Sequence, residues 1–160
     1  MTDKKSGIIQ IYYGYEKIKL RYKYFVFNNK FEGEYKEYYN SGELLKMYNY
    51  KNDKLTGKFT KYYDNGHLHK IYNFINSKLE GENKEYYENG QLYEICNYKN
   101  GVKEGIYKEY CYNGKLIKIC NYKNGNLEGE YKQYHNNGKL WILCNYKNGK
   151  KEEEYVKCTI

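Results

Sequence analysis

The sequence is poor in the residues that usually fill a two-layer hydrophobic core. It has no proline and no alanine, and its mean hydropathy is −1.10. No run of apolar residues approaches the roughly 20 that a membrane-spanning helix needs, and the N-terminal stretch lacks the apolar core of a signal peptide. These absences exclude a helical membrane protein and predict an intracellular, cytoplasmic protein, either free or peripheral at a membrane.

Arginine is also scarce, and the cysteines show no paired spacing. Arg21 is the only arginine among 28 basic residues, and the net charge of +8 is spread along the chain. Bidentate recognition of phosphate or guanine favours arginine, so sequence-specific nucleic-acid binding is disfavoured. Five cysteines without paired spacing predict a reducing compartment and neither a disulfide framework nor a zinc site. No catalytic residue and no cofactor is predicted.

Tyrosine is what the chain has in excess, with 25 tyrosines against five phenylalanines. Disordered chains are poor in aromatic residues, so the low hydropathy does not indicate disorder here. Because a tyrosine ring is apolar at its body and polar at its tip, a sheet face covered with tyrosines can be half exposed to water. The composition therefore favours a single sheet over a two-layer sandwich.

A 24-residue repeat runs through almost the whole sequence. The phrases "QLYEICNYKNGVKEG", "KLIKICNYKNGNLEG" and "KLWILCNYKNGKKEE" follow one another at this spacing without insertions. A fixed short period marks a stacked repeat architecture. We divide the chain into an N-terminal tail, residues 1–8, and a repeat domain, residues 9–160. The domain consists of a decayed copy 9–32, complete copies 33–56, 57–80, 81–104, 105–128 and 129–152, and a partial copy 153–160.

Each complete copy contains two turn signals separated by runs rich in tyrosine and isoleucine. In the last copy these are Asn137-Gly138 and Asn148-Gly149. Asn-Gly between such runs predicts a two-residue hairpin of type I′, with positive φ at both residues. The sequence therefore predicts an all-β fold. In this fold, tandem 24-residue β-hairpin repeats form an elongated, single-layer, twisted antiparallel sheet.

The two-residue loop sets a register for each hairpin. With Asn137-Gly138 as the loop, Gly129 lies opposite Tyr146 and Tyr131 opposite Cys144, while Tyr134 lies opposite Trp141. An aromatic residue then covers a strand glycine in every copy, which is a known way to stabilise a sheet.

These residues resemble the MORN repeat (membrane occupation and recognition nexus). The stretch "YYENGQLYEICNYKNG" at residues 86–101 shows the pattern, with a tyrosine before an NG turn, a leucine after it and a second NG turn. The chain is most similar to the longer-period variant found in bacterial and viral proteins, which include MORN-type antitoxins. The resemblance covers residues 9–160 and implies a single-layer antiparallel sheet with a scaffold or interaction role. It implies no catalytic residues.

The cysteines and histidines are interpreted as structural or solvent-facing. Cys96, Cys120 and Cys144 occupy one position of successive copies, so they form a ladder with rungs about 10 Å apart, too far for a disulfide. Cys111 and His135 also share a register position, but their spacing does not support a metal site. One further row carries charges, with Glu37 opposite Lys46 and Glu109 opposite Lys118 as expected cross-strand ion pairs. In the same row Lys61 faces Lys70 and Glu85 faces Glu94.

One row stands out because it varies between otherwise similar copies. The residue after the invariant leucine is chemically different in each copy, whereas its expected cross-strand partner is always tyrosine. A variable side chain beside a fixed aromatic residue is a position at which the protein could recognise a specific partner. The candidate partner-binding residues are Tyr38, Leu45, Tyr62, His69, Tyr86, Tyr93, Tyr110, Ile117, Tyr134 and Trp141.

These observations predict a non-enzymatic repeat protein that acts as a protein–protein interaction scaffold. Three alternatives remain open: a peripheral binder of anionic membrane lipids, an antitoxin-like neutraliser of a partner protein, and a non-specific binder of single-stranded nucleic acid. Sheet edges invite pairing, so we also expect weak homodimerisation. It is placed at the C-terminal edge, where Tyr155, Val156 and Ile160 follow a charged stretch.

Overall fold

The fold is one open antiparallel sheet built from consecutive hairpins. The computed structural model describes residues 5–15 and 17–157, with side chains described as far as residue 152. Within these residues there is no helix, and hence none that is long and apolar enough to cross a membrane. The fifteen strands of the sheet follow chain order, apart from two short ones that pair beside the main path. The predicted all-β, single-sheet fold is therefore confirmed.

The strands have the following bounds. They are β1 Gly7–Tyr13, β2 Lys19–Phe27, β3 Lys30–Tyr38, β4 Leu44–Lys51, β5 Lys54–Tyr62, β6 Leu68–Ile75, β7 Lys78–Leu79, β8 Gly81–Tyr86, β9 Leu92–Lys99, β10 Val102–Tyr110, β11 Leu116–Lys123, β12 Asn126–Leu127, β13 Gly129–Tyr134, β14 Leu140–Lys147 and β15 Lys150–Lys157. Residues 1–4 of the predicted tail and residues 158–160 of the predicted partial copy, with Cys158 and Ile160, lie outside the described residues.

The second turn of each copy is the expected two-residue type I′ turn. Asn100 and Gly101 have φ of 52° and 87°, both in the left-handed region that this turn requires. Such turns also bond to the preceding copy: the Gly101 N–H donates to the Leu79 carbonyl at 2.9 Å, and the Asn100 N–H donates to Glu80 Oε2 at 2.7 Å. Repetition of these bonds ties one hairpin to the next, which explains why the phrase recurs without insertions.

The predicted pairing of strand glycines with aromatic residues is confirmed. Gly105, at φ 82°, lies opposite Tyr122 across β10 and β11. An L-residue would resist this left-handed conformation, which glycine adopts at little cost. The same pairing occurs at Gly33–Tyr50, Gly57–Phe74, Gly81–Tyr98 and Gly129–Tyr146.

By its internal contacts the chain divides into two compact units, residues 1–78 and 79–160. In the first unit, one face of the sheet carries a row of stacked rings, one from each of the strands β2 to β6. The ring centroids lie 5.6 Å apart for Tyr24–Tyr35, 4.7 Å for Tyr35–Tyr48, 5.6 Å for Tyr48–Phe59 and 5.8 Å for Phe59–Tyr72. We call this side the aromatic face. No second layer covers this face among the residues that the structure describes, so rings of adjacent strands cover one another.

In the second unit, cysteines replace every other ring of this row. Tyr107 lies opposite Cys96 on one side and Cys120 on the other, and Tyr131 lies opposite Cys144. All three cysteines are buried, as is Tyr107. The described cysteines are free thiols, and the predicted ladder of Cys96, Cys120 and Cys144 is confirmed. Burial raises the pKa of the Cys96 thiol, and raises that of Cys120 to about 11.

The charged row lies on the same face. Lys46 Nζ is 2.7 Å from Glu37 Oε2, and Lys118 Nζ is 3.0 Å from Glu109 Oε2, so both predicted ion pairs are present. The expected like-charged neighbours, Lys61 opposite Lys70 and Glu85 opposite Glu94, also share register. All eight side chains are half-buried.

Candidate interaction site

The first turn of each copy is longer than the sequence predicts. His135 donates its N–H to the Lys139 carbonyl at 2.9 Å, and Gly138 donates its N–H to the His135 carbonyl at 2.8 Å. The loop is therefore residues 136–138, with only Gly138 in the left-handed region at φ 89°. This is the three-residue hairpin loop, a type I turn followed by a glycine bulge. The predicted two-residue type I′ turn at Asn137-Gly138 is wrong, although the hairpin itself is present.

The side chain of the turn asparagine explains this conformation. Asn137 Oδ1 accepts a hydrogen bond from the Lys139 N–H at 2.9 Å, which caps the turn from within. Asn65, Asn89 and Asn113 make the same bond to the residue two positions later. Asn137 does not have a positive φ in this loop. Its contribution to the turn is therefore the side-chain hydrogen bond and not a tolerance of the left-handed region.

A bulge follows the turn and leaves one residue without an opposite partner. Tyr134 pairs with Leu140 and Gln133 with Ile142, so Trp141 is the extra residue between them. The same shift occurs at Tyr38, Tyr62, Tyr86 and Tyr110, which pair with Leu44, Leu68, Leu92 and Leu116. The predicted pairing of each fixed tyrosine with the varied residue is therefore wrong. The loop is one residue longer than predicted, and the bulge adds one residue to the opposite strand. These two differences cancel, so the predicted register is observed from the pair Gln133–Ile142 onward.

The varied residue instead contacts the residue that enters the turn. We call Tyr39, Tyr63, Tyr87, Cys111 and His135 the turn-entry residues, and Leu45, His69, Tyr93, Ile117 and Trp141 the varied residues. Three copies show ring contacts between them: 4.2 Å between centroids for Tyr63–His69, 5.1 Å for Tyr87–Tyr93 and 5.3 Å for His135–Trp141. Trp141 is 42% exposed, whereas the other four varied residues are half-buried.

Some turn-entry tyrosines also hold successive copies together. The hydroxyl of Tyr39 donates to the Tyr62 carbonyl at 2.9 Å, and that of Tyr87 donates to the Tyr110 carbonyl at 2.9 Å. Burial raises the pKa of both phenols, which keeps them protonated donors. In the last two copies this position is Cys111 and His135, which have no phenol. The sequence pattern could have revealed these turn-entry residues, because they too vary between copies.

The fixed tyrosines lie on the other side of the sheet, which we call the lysine face. Here Lys36, Lys84 and Lys132 each contact a glutamate two residues earlier at 2.6 Å, and this hydrogen bond raises the pKa of each lysine. In the copy 105–128, Ile106 stands where these three copies have glutamate, and it is 55% exposed. A groove of about 300 Å³ lies beside it, with Leu116, Ile119 and Tyr134 in its lining.

The aromatic face holds the most unusual local chemistry, at Tyr107. Its hydroxyl oxygen lies 2.8 Å from Glu94 Oε2 and 3.0 Å from Glu109 Oε2, so the single phenolic proton has two carboxylate acceptors within reach, while Lys103 Nζ lies 4.5 Å from the ring centroid. Burial and the two carboxylates raise the pKa of this phenol, so it remains a neutral donor rather than a base or nucleophile. No group of three His, Cys, Asp or Glu side chains within the described ranges could hold a metal ion.

A comparison with protein families agrees with this architecture. The family model described as "MORN repeat variant" matches residues 31–52, 55–76, 79–100, 103–124 and 127–148. The matched segments keep the 24-residue period and together cover more than half of the chain. No curated protein matches the sequence.

Each matched segment contains the first turn, with its three-residue loop and bulge, and ends on the first residue of the type I′ turn. MORN repeats indicate a repeat protein, often one that contacts proteins or membranes, and the family is generally non-enzymatic. The extent of the match and the repeated hairpin geometry lead to one conclusion: this chain belongs to the MORN repeat variant family.

Proposed function

We propose that this protein is a non-enzymatic scaffold that binds another protein through the hairpin ends of its copies. The varied residues would contact the partner and determine specificity, and Trp141 would contribute most of the binding energy. The conformation of the first turn and the leucine–tyrosine pair are the same in all complete copies, so we assign them to the stability of the repeat. Trp141 is the extra residue of its bulge, so the strand register places no requirement on its identity.

The observation that carries the proposal is the exposure of Trp141. Trp141 is 42% exposed on a bulge, so a large part of its ring remains available for contact with a partner. Tryptophan and tyrosine are enriched among residues whose truncation costs a complex about 2 kcal/mol or more. The His135 ring lies against Trp141 at an interplanar angle of 27°, which fixes its orientation before any partner arrives. A preoriented side chain loses less entropy on binding than a mobile one.

The decisive experiment has two steps. Proteins captured by the full chain from its native host are identified by mass spectrometry, and the leading candidate is then purified. Its affinity is measured for the full chain and for Trp141→Ala. We expect Trp141→Ala to fold and to bind at least about 30-fold more weakly, which corresponds to about 2 kcal/mol. Lys46→Ala, which changes the charged row on the aromatic face, is the matched control and should bind as the wild type does. Equal affinity for Trp141→Ala and wild type would refute the proposed anchor.

Each of the other functions predicts a different experimental result. An antitoxin-like role is a special case of protein binding, and it would appear as capture of a toxic enzyme whose activity the chain suppresses. Peripheral membrane binding would appear as sedimentation with anionic vesicles and not with neutral ones, since lysines near an anionic surface each contribute about 1 kcal/mol. Single-stranded nucleic acid would bind with a steep salt dependence. The stacked rings of the aromatic face argue against this last role, because their flat faces are already occupied by neighbouring rings.

A further inference from the structure

We infer that strand β10 binds, on the lysine face, one extended segment of a partner protein that carries an apolar side chain and a carboxylate two residues apart. The inference rests on the proposed role in protein binding, but it places a second site away from the hairpin ends. It starts from two departures of β10 from the repeat. Val102 and Ile106 stand at positions where the other complete copies have only lysine, asparagine or glutamate.

Both of these apolar side chains are exposed on the same face of the sheet. Val102 is 46% exposed and Ile106 is 55% exposed. Their neighbours along the strand, Lys103 and Tyr107, contact each other on the aromatic face. Because strand side chains alternate, Val102 and Ile106 lie on the lysine face. The other copies show that the fold accepts polar residues at both positions, and exposed apolar groups gathered on one strand are typical of an interaction surface.

The groove beside Ile106 has room for a side chain of the partner. Its volume of about 300 Å³ is at the lower end of the range of ligand pockets, so it suits one large apolar side chain. Ile106, Leu116 and Ile119 supply apolar lining, and Tyr134 adds a ring. These residues come from β10, β11 and β13, which all belong to the unit 79–160. The groove is therefore formed within one unit.

The change to isoleucine at Ile106 also leaves a lysine without its usual partner. In three complete copies this residue is glutamate, and the lysine two residues later contacts it at 2.6 Å: Glu34–Lys36, Glu82–Lys84 and Glu130–Lys132. Ile106 has no carboxylate, so Lys108 lacks this contact. Among the residues that the structure describes, the Lys108 ammonium group forms no hydrogen bond and no ion pair.

The unpaired charge and the groove lie at a spacing that an extended segment can match. Lys108 lies opposite Ile119, a lining residue of the groove, and it is half-buried. Ile106 and Lys108 are two residues apart on β10, a distance of about 6.6 Å along the strand. Residues two apart in an extended partner have this same spacing and point to one side. An apolar side chain can thus enter the groove while the carboxylate reaches Lys108.

The charges around β10 favour a protein segment over an anionic membrane as the occupant. The lysines that flank Lys108 on this face are already paired with Glu82 and Glu130. An anionic surface would repel these two carboxylates, and attraction to such a surface requires several free lysines. One aspartate or glutamate of a peptide segment matches a single unpaired lysine.

The test is a titration of the isotope-labelled full chain with three acetylated and amidated peptides, followed by NMR. The first is Gly-Ser-Leu-Gly-Asp-Ser-Gly, the second has asparagine in place of aspartate, and the third has serine in place of leucine. The first peptide should shift the amide signals of Ile106, Lys108 and Ile119 to saturation. The other two should bind at least about fivefold more weakly. The inference is overturned if the first peptide does not bind, or if either altered peptide binds equally well.

Two variants of β10 and one matched control locate the site. Ile106→Glu restores the residue of other copies and should weaken binding of the first peptide at least about tenfold. Lys108→Gln should bind the aspartate and asparagine peptides equally, a change in preference that a loss of folding does not produce. Lys84→Gln is the control, because Lys84 is already paired with Glu82, and it should keep the wild-type preference. If Ile106→Glu unfolds, Lys108→Gln decides, and an unchanged preference in that variant overturns the inference.

Trp141→Ala distinguishes this site from the proposed anchor. Trp141 is not among the residues that line the groove, so this variant should bind the first peptide as the wild type does. Loss of peptide binding in Trp141→Ala would overturn the separate site on β10. Peptide binding without any effect of Trp141 on the captured partner would refute the anchor alone. Sedimentation with anionic vesicles that Ile106→Glu abolishes would assign β10 to a membrane and overturn the inference.

Discussion

His135 and Trp141 stack at a ring centroid distance of 5.3 Å, although neither lies opposite the other in the strand register. His135 closes the three-residue loop through its backbone, and Trp141 is the extra residue of the bulge that follows. The two irregular features thus bring together the side chains that differ most between copies. Tyr63–His69 and Tyr87–Tyr93 meet in the same way, so the contact is a property of the repeat.

The first prediction concerns the energy of this stack. An aromatic pair contributes about 0.5–1.5 kcal/mol beyond its buried area. Trp141→Ala, His135→Ala and the double variant form a cycle whose coupling energy should lie in this range. Urea denaturation of the four proteins measures it. A coupling energy near zero would mean that the two rings are neighbours without a stabilising contact.

Much of the register could be predicted because strand side chains alternate strictly. The glycine–aromatic pairs and the cysteine ladder depend only on this period of two and on the 24-residue spacing, so they were predicted correctly. The hairpin end was not, because Asn-Gly is compatible with both a two-residue and a three-residue loop. The bond from the Lys139 N–H to Asn137 Oδ1 belongs to the longer loop. The sequence offers no direct sign of this bond.

One signal in the sequence did favour the observed pairing of the candidate site. Tyr134 and Leu140 are both constant between the complete copies, and constant residues commonly pair with each other. The two-residue loop instead places constant Tyr134 opposite varied Trp141, which leaves the constancy of Leu140 unexplained. The exposure of Trp141 and the contact with His135 depend on the bulge, so neither could be derived from periodicity.

The second prediction concerns the rates at which the cysteines react. Cys120 is 3% exposed, and burial raises its pKa to about 11, so its reactive thiolate is rare at pH 8. Cys111 is only partly buried. In the native protein, iodoacetamide should therefore modify Cys111 at least about tenfold faster than Cys120. Mass spectrometry of peptides over time measures both rates. In urea without reductant all five cysteines should react alike, and a protected pair would contradict the ladder of free thiols.

The third prediction concerns alkaline pH. Burial raises the pKa of Tyr98 to about 12, and burial with the nearby charge of Glu37 raises that of Tyr35 to about 12. Their ordinary value is 10.0, so between pH 10 and 12 the unfolded chain loses protons that the folded chain retains. The stability that these phenols contribute is complete below pH 10 and declines above it. Urea midpoints at pH 8 and pH 11 should show the decrease. Tyr35→Phe, which copies Phe59 at the same position, should lose less, and an equal loss would exclude Tyr35 as a cause.

The fourth prediction concerns Thr60, a buried polar residue of the first unit. Its side chain is 4% exposed, and its hydroxyl has no hydrogen-bond partner among the residues that the structure describes. Its cross-strand neighbours are Met47 and Ile71, whose side chains offer at most a weak sulfur acceptor. A buried hydroxyl left without a partner costs about 1–3 kcal/mol, whereas an apolar group of the same shape does not incur this cost.

Thr60→Val should therefore raise the free energy of unfolding by about 1 kcal/mol, the lower end of that range, because a strand also favours valine. Thr60→Ser is the control, since it keeps the hydroxyl and removes the methyl group of this buried side chain. It should lower the stability by about 1 kcal/mol, in line with the loss of one buried carbon. Urea denaturation of both variants beside the wild type gives the comparison. A destabilised Thr60→Val would mean that the hydroxyl is satisfied in solution, and a water bound between β4, β5 and β6 would then be its partner.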